Sequence, residues 1–211
     1  MYYKVIYCPE YGIPQTRRRL VLVGSLLGPI SLIGATHNPD DIHCIDFIGG
    51  LSEIKAGATD PNDPLHHAAA LSEINQERIK HSRPGGTWKE WPECLRCNRH
   101  KQSKKQLSTA VYGRMTWEQI PPTITTQFYN YGSGRFGHPV QDRALSLREG
   151  AILQTFPADY RFIDSNTRYA MTVIARHIGN AVPVRLGEVI GESILKHIKD
   201  SEKISCERNT I

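Results

Sequence analysis

Residues 9–25 read PEYGIPQTRRRLVLVGS, and the order of textures in that stretch sets the fold class. A polar Gly/Pro turn is followed by a basic triplet. From Arg19 to Gly24 the chain is then almost wholly apolar. A continuous apolar run that stops at Gly fits a strand buried on both faces, as in an α/β sheet, and is too short to favour a buried helix fragment. Upstream, residues 2–7 (YYKVIY) are aromatic and β-branched, which predicts a first strand before the turn. The second strand is expected over 18–24. In an extended chain, side chains two apart point the same way, so Gln15, Arg17 and Arg19 should share one face. Their guanidinium groups suit phosphate or carbonyl oxygens, although a solvated basic edge would look the same in isolation.

Two later segments carry comparable order. In residues 143–162 (RALSLREGAILQTFPADYRF), Ser146 precedes Glu149 by three residues, a capping-box pattern that predicts a helix stopped by Pro157. In residues 176–191 (RHIGNAVPVRLGEVIG), Gly179-Asn180 and Pro183 predict a turn leading into a helix over 184–199. That helix should collect Leu186, Val189, Ile190, Ile194 and Ile198 near one face, with a frayed polar tail of about twelve residues behind it. Between these segments the chain is Gly-, Pro-, Asn- and Asp-rich. Weak helix is expected near 41–54, and a helix begun by Asp63-Pro64 should run towards Lys80. Residues 83–105 should form a basic loop, and residues 120–137 a Thr/Ile strand passing into a Gly-rich turn.

Bulk properties narrow the class. The 211 residues are 39% hydrophobic, enough for a modest core, and 26 Lys and Arg against 21 Asp and Glu give a pI near 9.0. That excess is compatible with a polyanion partner and matters most where it is concentrated. Five irregularly spaced cysteines do not form a secreted disulfide framework. The sequence has neither a signal-like start nor an apolar run long enough to span a bilayer, so a soluble protein of a reducing compartment is expected. Cys94-Leu-Arg-Cys97, with His100 nearby, could begin a zinc site. With no second Cys pair to complete four ligands, it reads as two reduced thiols and no metal.

Taken together, the three segments resemble the last three blocks of the DNA (cytosine-5) methyltransferases, in the family's order. Tyr11 through Arg19 matches Tyr-Gly-x-Pro followed by Gln-x-Arg-x-Arg. Arg148, Glu149 and Leu153 through Pro157 match Arg-Glu…Leu-Gln-x-Phe-Pro. Ile178 through Pro183 matches Ile-Gly-Asn-Ala-Val-Pro without a gap. The resemblance implies an α/β fold: part of an S-adenosylmethionine-dependent methyltransferase, comprising the edge of a Rossmann-like sheet and a C-terminal helix, with a small irregular α+β target-recognition domain. The implied divisions are 1–27 (catalytic-domain strands), 28–142 (target recognition), 143–175 (helix and hinge) and 176–211 (cofactor-side turn and returning helix).

The resemblance also implies roles. Arg19 would contact the exocyclic oxygen of a flipped cytosine, Arg17 would bind phosphate or order the catalytic loop, and Gln15 would support both. Asn180, Ala181 and Val182 would line the S-adenosylmethionine pocket. Double-stranded DNA would be read through Thr123-Ile124 or Thr125-Thr126, a register the sequence leaves open. Arg114 and Arg135 would flank that stretch, and Arg99 and Lys101 would lie in a phosphate-binding charge run with Arg96, Lys104 and Lys105. Arg148 would bind phosphate or serve structure, and Glu149 would cap its helix or pair with a base.

The family's nucleophile is a cysteine that follows proline and attacks C6 of the flipped base. Neither that Pro-Cys block nor the Glu-Asn-Val block occurs in this sequence. Cys8 precedes a proline and reads as a small buried residue. The expectation is a prokaryotic, cytoplasmic, DNA-associated chain of a restriction–modification system, inactive alone. A partner polypeptide would carry the missing blocks and receive Leu186, Val189, Ile190 and Ile194; otherwise that helix packs only within its own chain. The alternative is a truncated, inactive DNA-binding remnant.

Overall fold

The computed structural model describes residues 1–97, 108–162 and 169–208, with side chains through 203. Strands β1 (Tyr2–Tyr7) and β2 (Arg18–Val23) form an antiparallel hairpin in which Tyr2 pairs with Val23 and Tyr7 with Arg18. Both strands lie where the sequence puts them, but they make a two-stranded sheet, and β2 is not buried on both faces. Val21 and Val23 point into a core with Ile6, while Leu20 and Leu22 are exposed. The apolar run therefore marks a strand with one covered face and one bare face among the described residues.

The covered face meets helix α5 (Val184–Arg208), whose Leu186 and Val189 are fully packed against the hairpin, with Ile190 beside them. The same core takes in Cys8, Tyr11 and Ile13 from the turn. These helix residues are thus occupied within their own chain, which corrects their assignment to a partner. The hairpin's inner face supplies the apolar surface they need. Ile194 is partly exposed. The helix also runs through Arg208, well beyond 199, because its polar later turns contain no Gly or Pro to stop it.

The middle of the chain is built around a second core. Helix α1 (Cys44–Ile48), strands β3 (Thr59–Asp60) and β4 (Asp63–His67), and helix α2 (Glu73–Lys80) lead towards α3 (Leu147–Leu153) and α4 (Met171–Asn180). Phe128, Leu145, Leu147, Leu153, Ile174 and Ile178 fill its centre. An aromatic annex holds Trp88, Trp91 and Tyr131, with the Arg78 guanidinium over the rings of Trp91 and Tyr112.

Three local expectations fail here. Asp63-Pro64 begins a strand, and the helix starts only at Glu73. The Asp63 carboxylate accepts from Leu65 N and is claimed by Arg148, so it caps nothing. Residues 120–137 contain no strand but a chain of turns and a short 3-10 stretch at Tyr131–Ser133, because their backbone bonds go to scattered loops and not to a neighbouring strand. Gly179-Asn180 is the last turn of α4 and not a loop. The break between α4 and α5 falls at Ala181–Pro183 instead.

Candidate functional site

The three sequence blocks, far apart along the chain, meet at two buried glutamines. Gln15 follows the Cys8–Tyr11 turn, which Gly12 closes in the left-handed region at φ 78°. Its Nε2 donates to the Leu153 carbonyl and to Gln154 Oε1, both at 2.8 Å. Its Oε1 accepts from Ile124 N at 2.9 Å. Gln154 caps α3 and passes the connection on. Its Nε2 donates to the Ile178 carbonyl at 2.7 Å and to the Ala181 carbonyl at 3.3 Å. An amide carries two donors and one acceptor oxygen, and here each glutamine's set is engaged in a dry environment, where an unmade bond would cost about 1–3 kcal/mol. The relay fixes the orientation of both amides and ties the first block to the second and the second to the third.

Backbone contacts reinforce this junction. Thr16 N donates to the Pro121 carbonyl at 2.9 Å, and Thr123 Oγ1 donates to the Thr16 carbonyl at 3.1 Å. Gly179 lies flat against the Thr125–Thr126 peptide, where a Cβ would stand 2.4 Å from backbone atoms. Glycine is needed at 179 for close approach and not for a turn. Thr155, at φ 60°, is a β-branched residue held in the left-handed region, a costly conformation. It earns its place by seating α5, since its Oγ1 accepts from Arg185 N at 2.9 Å while Val184 N donates to the Gln154 carbonyl.

Arg17 is buried beside Gln15, with Nη1 donating to the Ile124 carbonyl at 3.3 Å and Nε buried without a partner among the described residues. Arg19 keeps the alternation of Val21 and Val23 yet is exposed, and among the described residues its Nη1 bonds only to the Arg18 carbonyl next to it. The expected shared face thus divides into a buried pair, Gln15 and Arg17, which precede the strand, and an exposed Arg19 within it. Asn180 is exposed, Ala181 is half-buried with its carbonyl held by Gln154, and Val182 is 62% exposed. Thr125 is exposed and Thr123 half-buried.

The remaining candidates vary in how free they are. Arg114 is buried and bonded to the Asp142 carboxylate and the Gln141 carbonyl. Arg135 Nη1 donates to the Gly85 carbonyl at 2.8 Å, and Arg96 holds the Trp91 and Lys89 carbonyls. Arg99 and Lys101, with Lys104, Lys105 and His100, lie outside the described residues. Cys94 is exposed, and among the described residues no group of three or more His, Cys, Asp or Glu side chains could hold a metal ion. Cys8 is fully buried, and burial pushes its thiol up to about 11 despite nearby Arg19, so it is a poor nucleophile at neutral pH.

The second block builds scaffold. Ser146 and Glu149 form the expected capping box: Glu149 N donates to Ser146 Oγ and Ser146 N to Glu149 Oε2. Glu149 is also gripped through both oxygens by the Arg143 guanidinium at 2.7 Å. Burial alone would raise this carboxyl; Arg143, His138 and the capping bond overcome it and hold the group below its ordinary value. His138, behind it, accepts two backbone N–H bonds at Nδ1, from Val140 and Gln141, and burial pushes its imidazole down to about 4. Arg148 pairs with Asp63. Sequence reading missed Gln154 and Arg143 as key groups. The available signal was a polar residue at the end of an apolar helix and an arginine six residues before its carboxylate.

Residues 1–196 match the C-5 cytosine-specific DNA methylase family. The chain belongs to that family. It is 49% identical over 198 residues to the Type II methylase M.HgiDII of Herpetosiphon aurantiacus, covering 93% of this chain and 56% of that protein. It is 34% identical over 191 residues to the Type II methyltransferase M.BbvI of Brevibacillus brevis, covering 89% of this chain and 46% of the relative. A plant relative, DNA (cytosine-5)-methyltransferase 1A of Oryza sativa, is 32% identical over 167 residues, covering 69% of this chain and 10% of its own length. This methylase chain thus spans about half the length of the two bacterial relatives. No helix among its described residues is long and apolar enough to cross a membrane.

Proposed function

We propose that this chain is the target-recognition and cofactor-side portion of a DNA cytosine-5 methyltransferase acting on double-stranded DNA. In this reading it is active only with a polypeptide that carries the Pro-Cys and Glu-Asn-Val blocks. The observation that carries the reading is the Gln15–Gln154 relay, which draws all three family blocks into one junction. Arg19, exposed at the hairpin, contacts the flipped cytosine. Arg17, with its unpaired Nε, orders the adjoining backbone or a phosphate. Exposed Thr125, with Thr123 and Arg135, faces the major groove, and Arg99 and Lys101 add phosphate contacts. Arg114, already bonded to Asp142, contributes by shaping that surface. The domain divisions at 27, 142 and 175 belong to the same reading.

S-adenosylmethionine supplies the methyl group when bound. The exposed Asn180 amide and the Val182 side chain fit one wall of its site, and Ala181, its carbonyl fixed by Gln154, holds that wall's backbone. The other wall falls to the partner.

The test is transfer of labelled methyl from S-adenosylmethionine to DNA by this chain, by a polypeptide carrying the missing blocks, and by the two mixed. Activity is expected only in the mixture, and Arg19→Ala should reduce it on the order of 100-fold. DNA binding without activity in any mixture would leave an inactive DNA-binding remnant, and activity of this chain alone would overturn the reading.

A further inference from the structure

Two non-glycine residues among those described stand in the left-handed region. Tyr112, at φ 58°, sits in an aromatic cluster, its ring edge-on to those of Trp91 and Tyr131. Thr155, at φ 60°, is only half-buried, and what it supplies is a hydroxyl. Glycine adopts this backbone without strain, whereas a branched Cβ makes it costly. Thr155 Oγ1 donates to the Gln154 carbonyl at 2.7 Å and accepts from Arg185 N at 2.9 Å. Arg185 N is one of the first N–H groups of α5, which have no partner inside the helix. Pro183, just before the helix, has no side-chain acceptor to offer it. The Gln154 carbonyl takes the neighbouring group, Val184 N, at 3.2 Å.

The same pair of residues holds the other side of the break. Gln154 Nε2 donates to the Ile178 and Ala181 carbonyls at the end of α4. The short Ala181–Pro183 link is therefore gripped from both helices by two adjacent residues, 154 and 155. Pro183 is buried, and the grip presents Asn180 and Val182 outward, the latter 62% exposed. We propose that Thr155 is a positioning residue for S-adenosylmethionine: its left-handed backbone places the hydroxyl that fixes the Asn180–Val182 wall in the shape the cofactor meets. This rests on the reading given under Proposed function and adds the residue that holds that site in shape. Strained backbone persists where a function over-determines it, and a wall set beforehand binds its ligand without first having to be ordered. Helix capping alone would not require the strain, since Ser or Asn in place of Pro183 would cap α5 locally.

The test uses the mixture of this full chain with the polypeptide carrying the missing blocks. It measures the Kd of labelled S-adenosylmethionine by equilibrium dialysis, DNA affinity by fluorescence anisotropy, and the unfolding temperature. Thr155→Ala removes the hydroxyl and keeps the strain, Thr155→Gly removes both, and Thr155→Ser keeps the hydroxyl. The alanine and glycine variants should each weaken cofactor binding roughly tenfold, the loss of about one positioned hydrogen bond. Thr155→Ser should restore it, and DNA affinity should hold in all three. Thr155→Gly decides the matter: relief of strain should make it more stable than Thr155→Ala, yet it should bind the cofactor no better. Wild-type cofactor affinity in both variants would overturn the proposal and leave the functional reading intact. Cofactor affinity that simply follows unfolding temperature, or that falls in step with DNA affinity, would reveal a folding defect and also overturn it. No cofactor binding by the wild-type mixture would sink the reading and the proposal together.

Discussion

The two cores of this chain close themselves differently. The one around Phe128 is closed by packing from several elements and by buried polar pairs: Arg143 to Glu149, Gln15 to Gln154, and His66 to the Ser146 hydroxyl and the Ser52 carbonyl. The hairpin core is as dry inside but ends at a sheet whose far face is bare. A self-contained core keeps its specificity in polar pairs that tolerate no loss. A half-covered one keeps its apolar surface on the outside, where changes cost little in the isolated chain.

The contrast can be broken most sharply at Arg143. Arg143→Ala leaves the Glu149 carboxylate buried without its partner, and loss of one member of a buried pair costs roughly 3–5 kcal/mol. Calorimetry should show the unfolding temperature falling by roughly 10 °C; a fall of a degree or two would mean the core is not closed as described. Acid is the next probe. His138 has its folded pKa near 4, below its ordinary 6.5, so its burial is harmless above 6.5. Below that value the unfolded chain takes up a proton the folded chain refuses, and stability drains as pH falls towards 4. The loss by pH 4 is on the order of 3 kcal/mol, with Glu149, its pKa also depressed, adding to it at lower pH. Urea unfolding at pH 7 and 4.5 should show it, and His138→Gln should flatten the dependence.

Gly179→Ala comes third. The added Cβ has only the Thr125–Thr126 backbone to push against, so roughly 1–3 kcal/mol should be lost, together with the register of the threonine stretch. At the small end, Leu20→Lys/Leu22→Lys should change the isolated chain's stability by no more than about 0.5 kcal/mol. A larger loss would show that the hairpin face is already in use within this chain.

Much of this was legible locally. The strands at 2–7 and 18–24, the Ser146–Glu149 cap, the buried nature of Cys8 and the long last helix all follow from patterns a few residues wide. What was hidden depends on residues far away in sequence. Asp63 looks like a helix cap until Arg148, 85 positions on, takes its carboxylate. Gly179-Asn180 looks like a turn until the Thr125–Thr126 peptide explains the glycine. The threonine-rich run looks like a strand, but no neighbouring strand pairs with it among the described residues. Arg17 and Arg19 share a spacing, yet one precedes the strand and is buried while the other lies within it and is exposed, a difference set by what packs above them.

Gln15 has one further consequence. It stands before the long middle stretch of the chain, and its partners Leu153 and Gln154 stand after it, so both ends of that stretch are clasped at a single point. Whatever lies between can lengthen, shorten or change its surface while the clasp holds. Under the proposed function this clasp would make the architecture a cassette holder, with a recognition segment exchangeable between fixed seams.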